Sequence, residues 1–225
     1  MPLSANLAKY PPAIFVTGTD TDAGKSYISA ALIRHLAAQS LRVVGMKPVA
    51  SGASLIQGEW VNADVAQLVA ASNVAAPRAL INPYCFAPAI APHIAAQQAA
   101  VDIQFAPILE AFQQLRQLAD VVIVEGAGGW LVPLNATQTI ADLALALKIP
   151  VLLVVRIRLG CINHALLSAQ AIQQSGLTLL GWVANCLDED MPVMQENIST
   201  LKKMINAPCL AVVGKDQMPE FNLDI

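Results

Sequence analysis

Two runs constrain this chain more than any other feature: residues 120–124 (DVVIV) and 151–155 (VLLVV). Both are near-continuous and rich in β-branched residues, whereas a strand with one wet face alternates apolar with polar. They therefore read as central parallel strands covered on both faces. Parallel neighbours need long crossovers, usually helical, and the flanking sequence supplies them. Residues 13–16 form a short apolar run between Pro11-Pro12 and Gly18, and 42–46 (RVVGM), 177–184 (LTLLGWVA) and 209–213 are further strands. Helices are expected over 25–39, where Ile28, Leu32 and Leu36 recur on one face, and over 62–71, 103–118, 162–174 and 194–205. Residues 81–91, with Pro83 and Pro88, suit an extended loop packed onto the body, and 214–225 carry no clear period. No repeat or Gly/Ser/Pro linker divides the order, so one α/β domain spanning residues 1–225 is expected, a mostly parallel sheet flanked by helices on both faces. In such a sheet ligands belong at the carboxyl ends of the strands.

Composition narrows the classes. The hydrophobic fraction is 56% and only 13% of residues are charged, about half the usual share of roughly 25%, which excludes a disordered chain. Mean hydropathy is +0.54, yet the longest clean apolar stretch, residues 149–155, is far short of the ~18–20 needed to span a bilayer. Sparse charge leaves apolar surface that a second copy would cover, so a homo-oligomer is expected. Thirteen basic against sixteen acidic residues give −3, without the basic excess that binding nucleic acid through phosphates requires. Cys85, Cys161, Cys186 and Cys209 are scattered, with no CxxC pair, which argues against structural zinc and a disulfide framework. The opening MPLSANLAKYPP lacks a basic segment followed by an apolar one, so no signal peptide is expected and the cytoplasm is the expected compartment.

Between the first strand and the first helix stands GTDTDAGKS, residues 18–26. Such a loop surrounds a phosphate with backbone N–H groups and a helix N-terminus, while Lys25 reaches the outer phosphates and Ser26 offers its hydroxyl to Mg²⁺. It is one residue longer than the usual phosphate loop. Strand before, loop, and helix after point to a P-loop NTPase-like fold binding a nucleotide, with a plain capping turn as the other reading.

Magnesium on a nucleotide takes one or two carboxylates besides phosphate and water. Glu125 ends the strand DVVIVE before a flexible GAGG, Gly126 to Gly129, and is expected beside the loop; Asp64 opens a helix and by itself also suits a helix start. Lys47 closes the second strand, with Ser51 and Gly52 in the next turn. A solvated strand-end lysine is one reading, and a second ammonium facing the phosphate loop, for an anionic substrate, is the other. Residues 160–163 (GCIN) open a helix after VLLVV, offering N–H groups to a carboxylate or simply capping the helix. His93 and His164 are assigned no chemistry.

Taken together, FVTGTDTDAGKS, GMKPVASG, NAD with Asp64, NPYCF followed by APHIAA, VEGAGGW, LGCINHA and GLTLLGWVANC resemble the dethiobiotin synthetases, collinearly from about Ile14 to about Val213. The resemblance implies an ATP- and Mg²⁺-dependent cyclo-ligase that joins CO₂ to 7,8-diaminononanoate through a carbamate and a carbamic-phosphoric anhydride, giving dethiobiotin, ADP and phosphate. It implies that Lys25 and Lys47 flank the carbamate and γ-phosphate, that Ser26, Asp64 and Glu125 hold magnesium, that Ser51 holds the carbamate, and that Thr21 and Asp22 lie at the substrate amines. Asp22 stands where the family more often has Glu. The resemblance further assigns ATP binding to Asp22, Ala23, Gly24, Lys25, Ser26, Tyr27, Asp64, Glu125, Gly126, Ala127, Gly128, Asn185 and Cys186. Gly160, Cys161, Ile162 and Asn163 are implied to receive the substrate carboxylate across a homodimer interface. Three departures stand out: Cys186 replaces a commoner acidic residue, VVGKDQMPEF replaces the usual adenine strap, and MQENIST lacks a substrate-contacting tyrosine. The rival reading is an ATP-switched partitioning or metal-cluster-loading ATPase, whose second lysine would stand at Thr19.

Overall fold

A computed structural model describes residues 10–187, 191–214 and 219–223. In chain order it comprises β1 (Ala13–Gly18), α1 (Lys25–Ala38), β2 (Val43–Met46), β3 (Val49–Ser51), β4 (Ser54–Ile56), β5 (Glu59–Val61), α2 (Ala63–Ala71), α3 (Arg78–Ile81) and β6 (Tyr84–Phe86). There follow α4 (Pro92–Gln98), α5 (Phe105–Leu118), β7 (Val121–Gly129), α6 (Ile140–Leu147), β8 (Val151–Arg156), α7 (Cys161–Gln174), β9 (Leu179–Cys186), α8 (Met194–Met204) and β10 (Cys209–Gly214). The central sheet has six strands in the order β10-β9-β8-β1-β7-β2, and every pairing in it is parallel.

The pleat explains why the central strands carry apolar residues at consecutive positions. Phe15, Val122, Val124, Leu153 and Val155 point into one core, with Ile108, Phe112 and Leu115 of α5, Ile140 and Leu143 of α6, and Ala165 and Ala169 of α7. Their alternates Ile14, Val16, Ile123, Leu152 and Val154 point into the other, with Ile28, Leu32, Ile33 and Leu36 of α1 and Leu68 of α2. Each strand thus serves two cores, which no alternating sequence could do. Phe221 and Leu223 join the second core, and Phe221 meets His35 edge-on at 5.5 Å. Of the unusual C-terminal sequence, residues 215–218 lie outside the described residues.

Several expectations need correction. Glu125 does not end its strand: β7 continues through Gly129, pairing Gly18 with Gly129 after a register shift. Glycines allow this passage, because a Cβ on Gly126 would sit 3.2 Å from both Ile140 and Phe15. The stretch 81–91 is not all loop, since β6 pairs in parallel with β3. Three helices, α3, α4 and α6, went unread. α4 starts on Pro92, and α6 is opened by a capping box in which the Thr139 hydroxyl accepts from the Asp142 N–H and the Asp142 carboxylate accepts from the Thr139 N–H.

β9 and β10 approach closely at Gly181, where a Cβ would lie 2.6 Å from Leu210 Cγ and 2.7 Å from the Pro208 carbonyl oxygen. Backbone cannot yield as a side-chain tip can, so Gly181→Ala is expected to destabilise by ~1–3 kcal/mol. Calorimetry should show the midpoint falling by about 2–4 °C per kcal/mol lost; an unchanged midpoint would refute this packing.

Candidate active site

β1 lies between β7 and β8, so the loop at its carboxyl end stands where chain connections diverge to either side. Register then brings distant residues to that loop. Met46 pairs with Val124, so Lys47 emerges beside Glu125, and Val16 pairs with Glu125 itself. Three strands thus deliver a lysine, a carboxylate and the phosphate loop to one point.

Asp22 and Gly24 of the loop have positive φ, 60° and 89°. At Gly24 the requirement is also steric, since a Cβ there would sit 2.0 Å from Asn185 Nδ2. That amide donates to the Ala23 carbonyl at 2.8 Å and fastens the loop to β9. Asp20 organises the other side. Its carboxylate accepts from the Thr21 N–H and from Arg158, each pairing on a separate oxygen, and its carbonyl accepts from Lys25 Nζ at 3.0 Å.

Lys47 Nζ lies between two carboxylates, 2.6 Å from Asp64 Oδ2 and 2.6 Å from Glu125 Oε1; Ser26 Oγ donates to the same Glu125 oxygen at 2.6 Å. Burial by itself would lower the Lys47 pKa, but the charges of Glu125 and Asp64 and their hydrogen bonds reverse this and hold it above the ordinary lysine value. At Lys25 the balance goes the other way: burial, then the Lys47 charge, push its pKa down and outweigh the charges of Glu125, Asp64 and Asp22. Two buried ammonium groups at one cleft, only one of them paired with carboxylates, favour an anionic ligand at the other. Asp64 is held below the ordinary carboxylate value; burial opposes this, but the charge and hydrogen bond of Lys47, a hydrogen bond from Ser26 and the Lys25 charge prevail.

Two asparagines that open quoted motifs but were assigned no role, Asn62 of NAD and Asn82 of NPYCF, hold this cluster. Asn62 is buried; its oxygen accepts from the N–H groups of Asp64 and Val65, capping α2, while its Nδ2 donates to the Ser51 carbonyl at 2.9 Å. Asn82, also buried, donates to the carbonyls of Lys47 and Tyr84, and the Lys47 N–H donates to the Ile81 carbonyl at 2.8 Å. An Asn one residue past a short helix gives a single chain no signal; Asn62 before Ala63-Asp64 does carry the helix-cap pattern.

The cleft above the loop measures about 670 Å³ and is lined by Thr21, Asp22, Gly24, Lys25, Ser26, Tyr27, Lys47, Ser51, Asp64, Ala127 and Gly128, closed on one side by 89–92 and Val132. Glu125 lies fully buried beneath it. Buried polar atoms in and under it remain unpartnered, Ser51 Oγ and Glu125 Oε2 among them, as a site built for a polar ligand requires. Ser26, Asp64 and Glu125 offer hydroxyl and carboxylate oxygens, the donor set of a hard divalent cation; among the described residues no three His, Cys, Asp or Glu side chains form a metal site alone. Other expected residues lie elsewhere. Gly126 is buried, Ala23 lies fully buried beneath the loop, Asn185 and Cys186 are buried in β9, and Gly160, Cys161, Ile162 and Asn163 open α7 outside the cleft, after a Leu159 that is 96% exposed. No described helix is long and apolar enough to cross a membrane.

A phosphate loop at the divergence point of a parallel sheet, with lysine and serine on the first turn of the following helix, defines the class: a P-loop nucleoside-triphosphate-binding protein. Solved structures share this fold. A MinC:MinD cell division complex from Aquifex aeolicus superposes with a TM-score of 0.57 at 11% identity, covering 92% of this chain and 82% of that one. The signal recognition particle receptor FtsY from Elizabethkingia anophelis gives 0.56 at 18%, covering 96% and 64%. A family model described as an AAA domain matches residues 12–218. The ATP-dependent dethiobiotin synthetase BioD of Aromatoleum aromaticum is 50% identical over 90% of each chain, and that of Nitrosospira multiformis 49% over 90% of this chain and 88% of its own. The chain belongs to the ATP-dependent dethiobiotin synthetase family.

The lowered Asp64 pKa gives a signed expectation. A carboxyl whose folded pKa lies below its unfolded value contributes stability that is complete above the ordinary value of 3.8 and lost as pH falls through the folded one. The stability gap between the wild type and Asp64→Asn should therefore stay level over about pH 5–8 and shrink below about pH 4; a gap that widens in acid would contradict the pairing. Asn62→Ala should cost about 0.5–2 kcal/mol as a lost helix cap, and should weaken metal-nucleotide binding through Asp64 and Ser51, as read by calorimetric titration.

Proposed function

We propose that this chain, as one cytoplasmic domain, converts 7,8-diaminononanoate, CO₂ and ATP into dethiobiotin, ADP and phosphate. The observation that carries this reading is the convergence of Lys25 and Lys47 with the unpartnered Ser51 Oγ in one cleft, within a chain half identical to relatives named for that activity. Two fixed ammonium groups suit a reaction in which both partners are anionic.

In this reading one substrate amine adds to CO₂, forming an N–C bond and losing a proton to give a carbamate, held by the Ser51 hydroxyl. Thr21 and Asp22 hold the amines. A carbamate oxygen then attacks the γ-phosphorus and ADP departs; the second amine attacks the carbamoyl carbon and loses a proton, closing the ring and expelling phosphate. The loop from Asp22 to Tyr27 and the wall formed by Gly126, Ala127 and Gly128 position the nucleotide, with Asn185 and Cys186 towards the base. Lys25 and Lys47 stabilise charge on the transferring phosphoryl group, and the chemistry is largely positioning and electrostatics. Ser26, Asp64 and Glu125 would hold Mg²⁺, which when bound neutralises phosphate oxygens.

The same reading makes the protein a homodimer, in which the start of α7, Gly160 to Asn163, receives the substrate carboxylate of the neighbouring copy. The position of that helix start outside its own cleft supports this, as does the exposed Leu159 beside it.

Purified protein with MgATP, bicarbonate and 7,8-diaminononanoate should form dethiobiotin in step with ADP by mass spectrometry; ADP release indifferent to the diamine would overturn the reading. Lys47→Ala is expected to lower turnover by ~10²–10³-fold. Mixing Lys47→Ala chains with Asn163→Ala chains should restore activity in confirmed heterodimers, and no rescue would remove the shared pocket.

A further inference from the structure

Glu125 is 0% exposed, and a buried carboxylate needs a positive partner. Its two oxygens are treated unequally: Oε1 accepts from both Ser26 Oγ and Lys47 Nζ, while Oε2 has no partner. Across the ammonium, Asp64 Oδ2 lies at the same 2.6 Å. The cation between these carboxylates is therefore a lysine. A divalent ion held by both carboxylates would compete for the same two oxygens that the ammonium occupies.

We propose that Lys47 is a resident placeholder cation: its ammonium bridges Asp64 and Glu125, two of the residues read as metal ligands, and would give way to a divalent metal by turning out towards the anionic substrate. The proposal rests on the reading of Ser26, Asp64 and Glu125 as metal ligands. Its backbone is fixed at both ends, the N–H on Ile81 and the carbonyl on Asn82 Nδ2, so the exchange is a side-chain rotation about a held strand end. Two consequences follow. The buried Glu125 carboxylate is never left unpaired, because one cation replaces another. The lysine charge also reaches the reacting anion only after the metal has arrived, which orders the steps without any domain movement.

The test uses Mn²⁺ binding by the nucleotide-free protein, read as loss of the free-ion electron paramagnetic resonance signal. Deleting the competing charge in Lys47→Met should tighten Mn²⁺ binding by ~10-fold or more, and Lys47→Gln, which keeps a hydrogen-bond donor and guards against misfolding, should tighten it in the same direction. Glu125→Gln should weaken Mn²⁺ binding ~10–100-fold with a non-hydrolysable ATP analogue present. Equal or weaker binding in both Lys47 variants, with Glu125→Gln still impaired, overturns the placeholder and leaves the metal ligands standing; an unimpaired Glu125→Gln overturns the ligand reading itself. In the wild type, the Lys47 ammonium ¹⁵N resonance, assigned by its loss in Lys47→Gln, should shift when Mg²⁺ and the analogue saturate the site. A resonance that stays in place overturns the exchange without relying on any variant.

Discussion

A buried ion pair between Lys47 and Glu125 is the constraint around which the rest of this structure is arranged. Taking two charges out of water is costly, and breaking such a pair by deleting one partner typically costs ~3–5 kcal/mol. The sheet meets that cost by register. Because β2 and β7 run parallel with Met46 opposite Val124, the lysine and the carboxylate emerge side by side without any turn having to find them. Asn82 fixes the lysine backbone and Ser26, on the first turn of α1, completes the carboxylate's contacts.

The second layer is the phosphate loop, whose backbone, left-handed at Asp22 and Gly24, is held by side chains from β9 and from the loop itself. Asn185 fastens it from β9 and Asp20 ties it to Lys25 and Arg158. Nearby, the Asn62 cap sets both the start of α2, and so Asp64, and the carbonyl of Ser51. Pre-organised charge of this kind acts without reorganising at the moment of reaction. The outward face of α7 and the exposed Leu159 lie apart from it, consistent with a chain whose charged residues are few and whose cleft is proposed to be completed by a second copy.

Much of this was legible in the sequence, for identifiable reasons. Strands 120–124 and 151–155 were readable because burial on both faces removes polar residues from the pattern, and the phosphate loop because its glycines and lysine have one common use. β6 was hidden among prolines, being three residues long and paired only with an equally short strand. α6 was overlooked although Thr139 and Asp142 spell a capping box. Lys47, Asp64 and Glu125 could be proposed as neighbours from their places at element ends, but their mutual pairing depends on register, which no local pattern carries. Asn82 stood in the NPYCF motif without a readable role, since its whole contribution is to two carbonyls that tertiary structure brings to it.

The most direct test of the chemistry proposed for this cleft is the fate of oxygen from labelled bicarbonate. If a carbamate oxygen attacks the γ-phosphorus, [¹⁸O]bicarbonate supplied for a reaction shorter than its exchange with water should leave one ¹⁸O atom in each phosphate released. Phosphate that carries no label would mean that water, not the carbamate, meets the γ-phosphorus between Lys25 and Lys47.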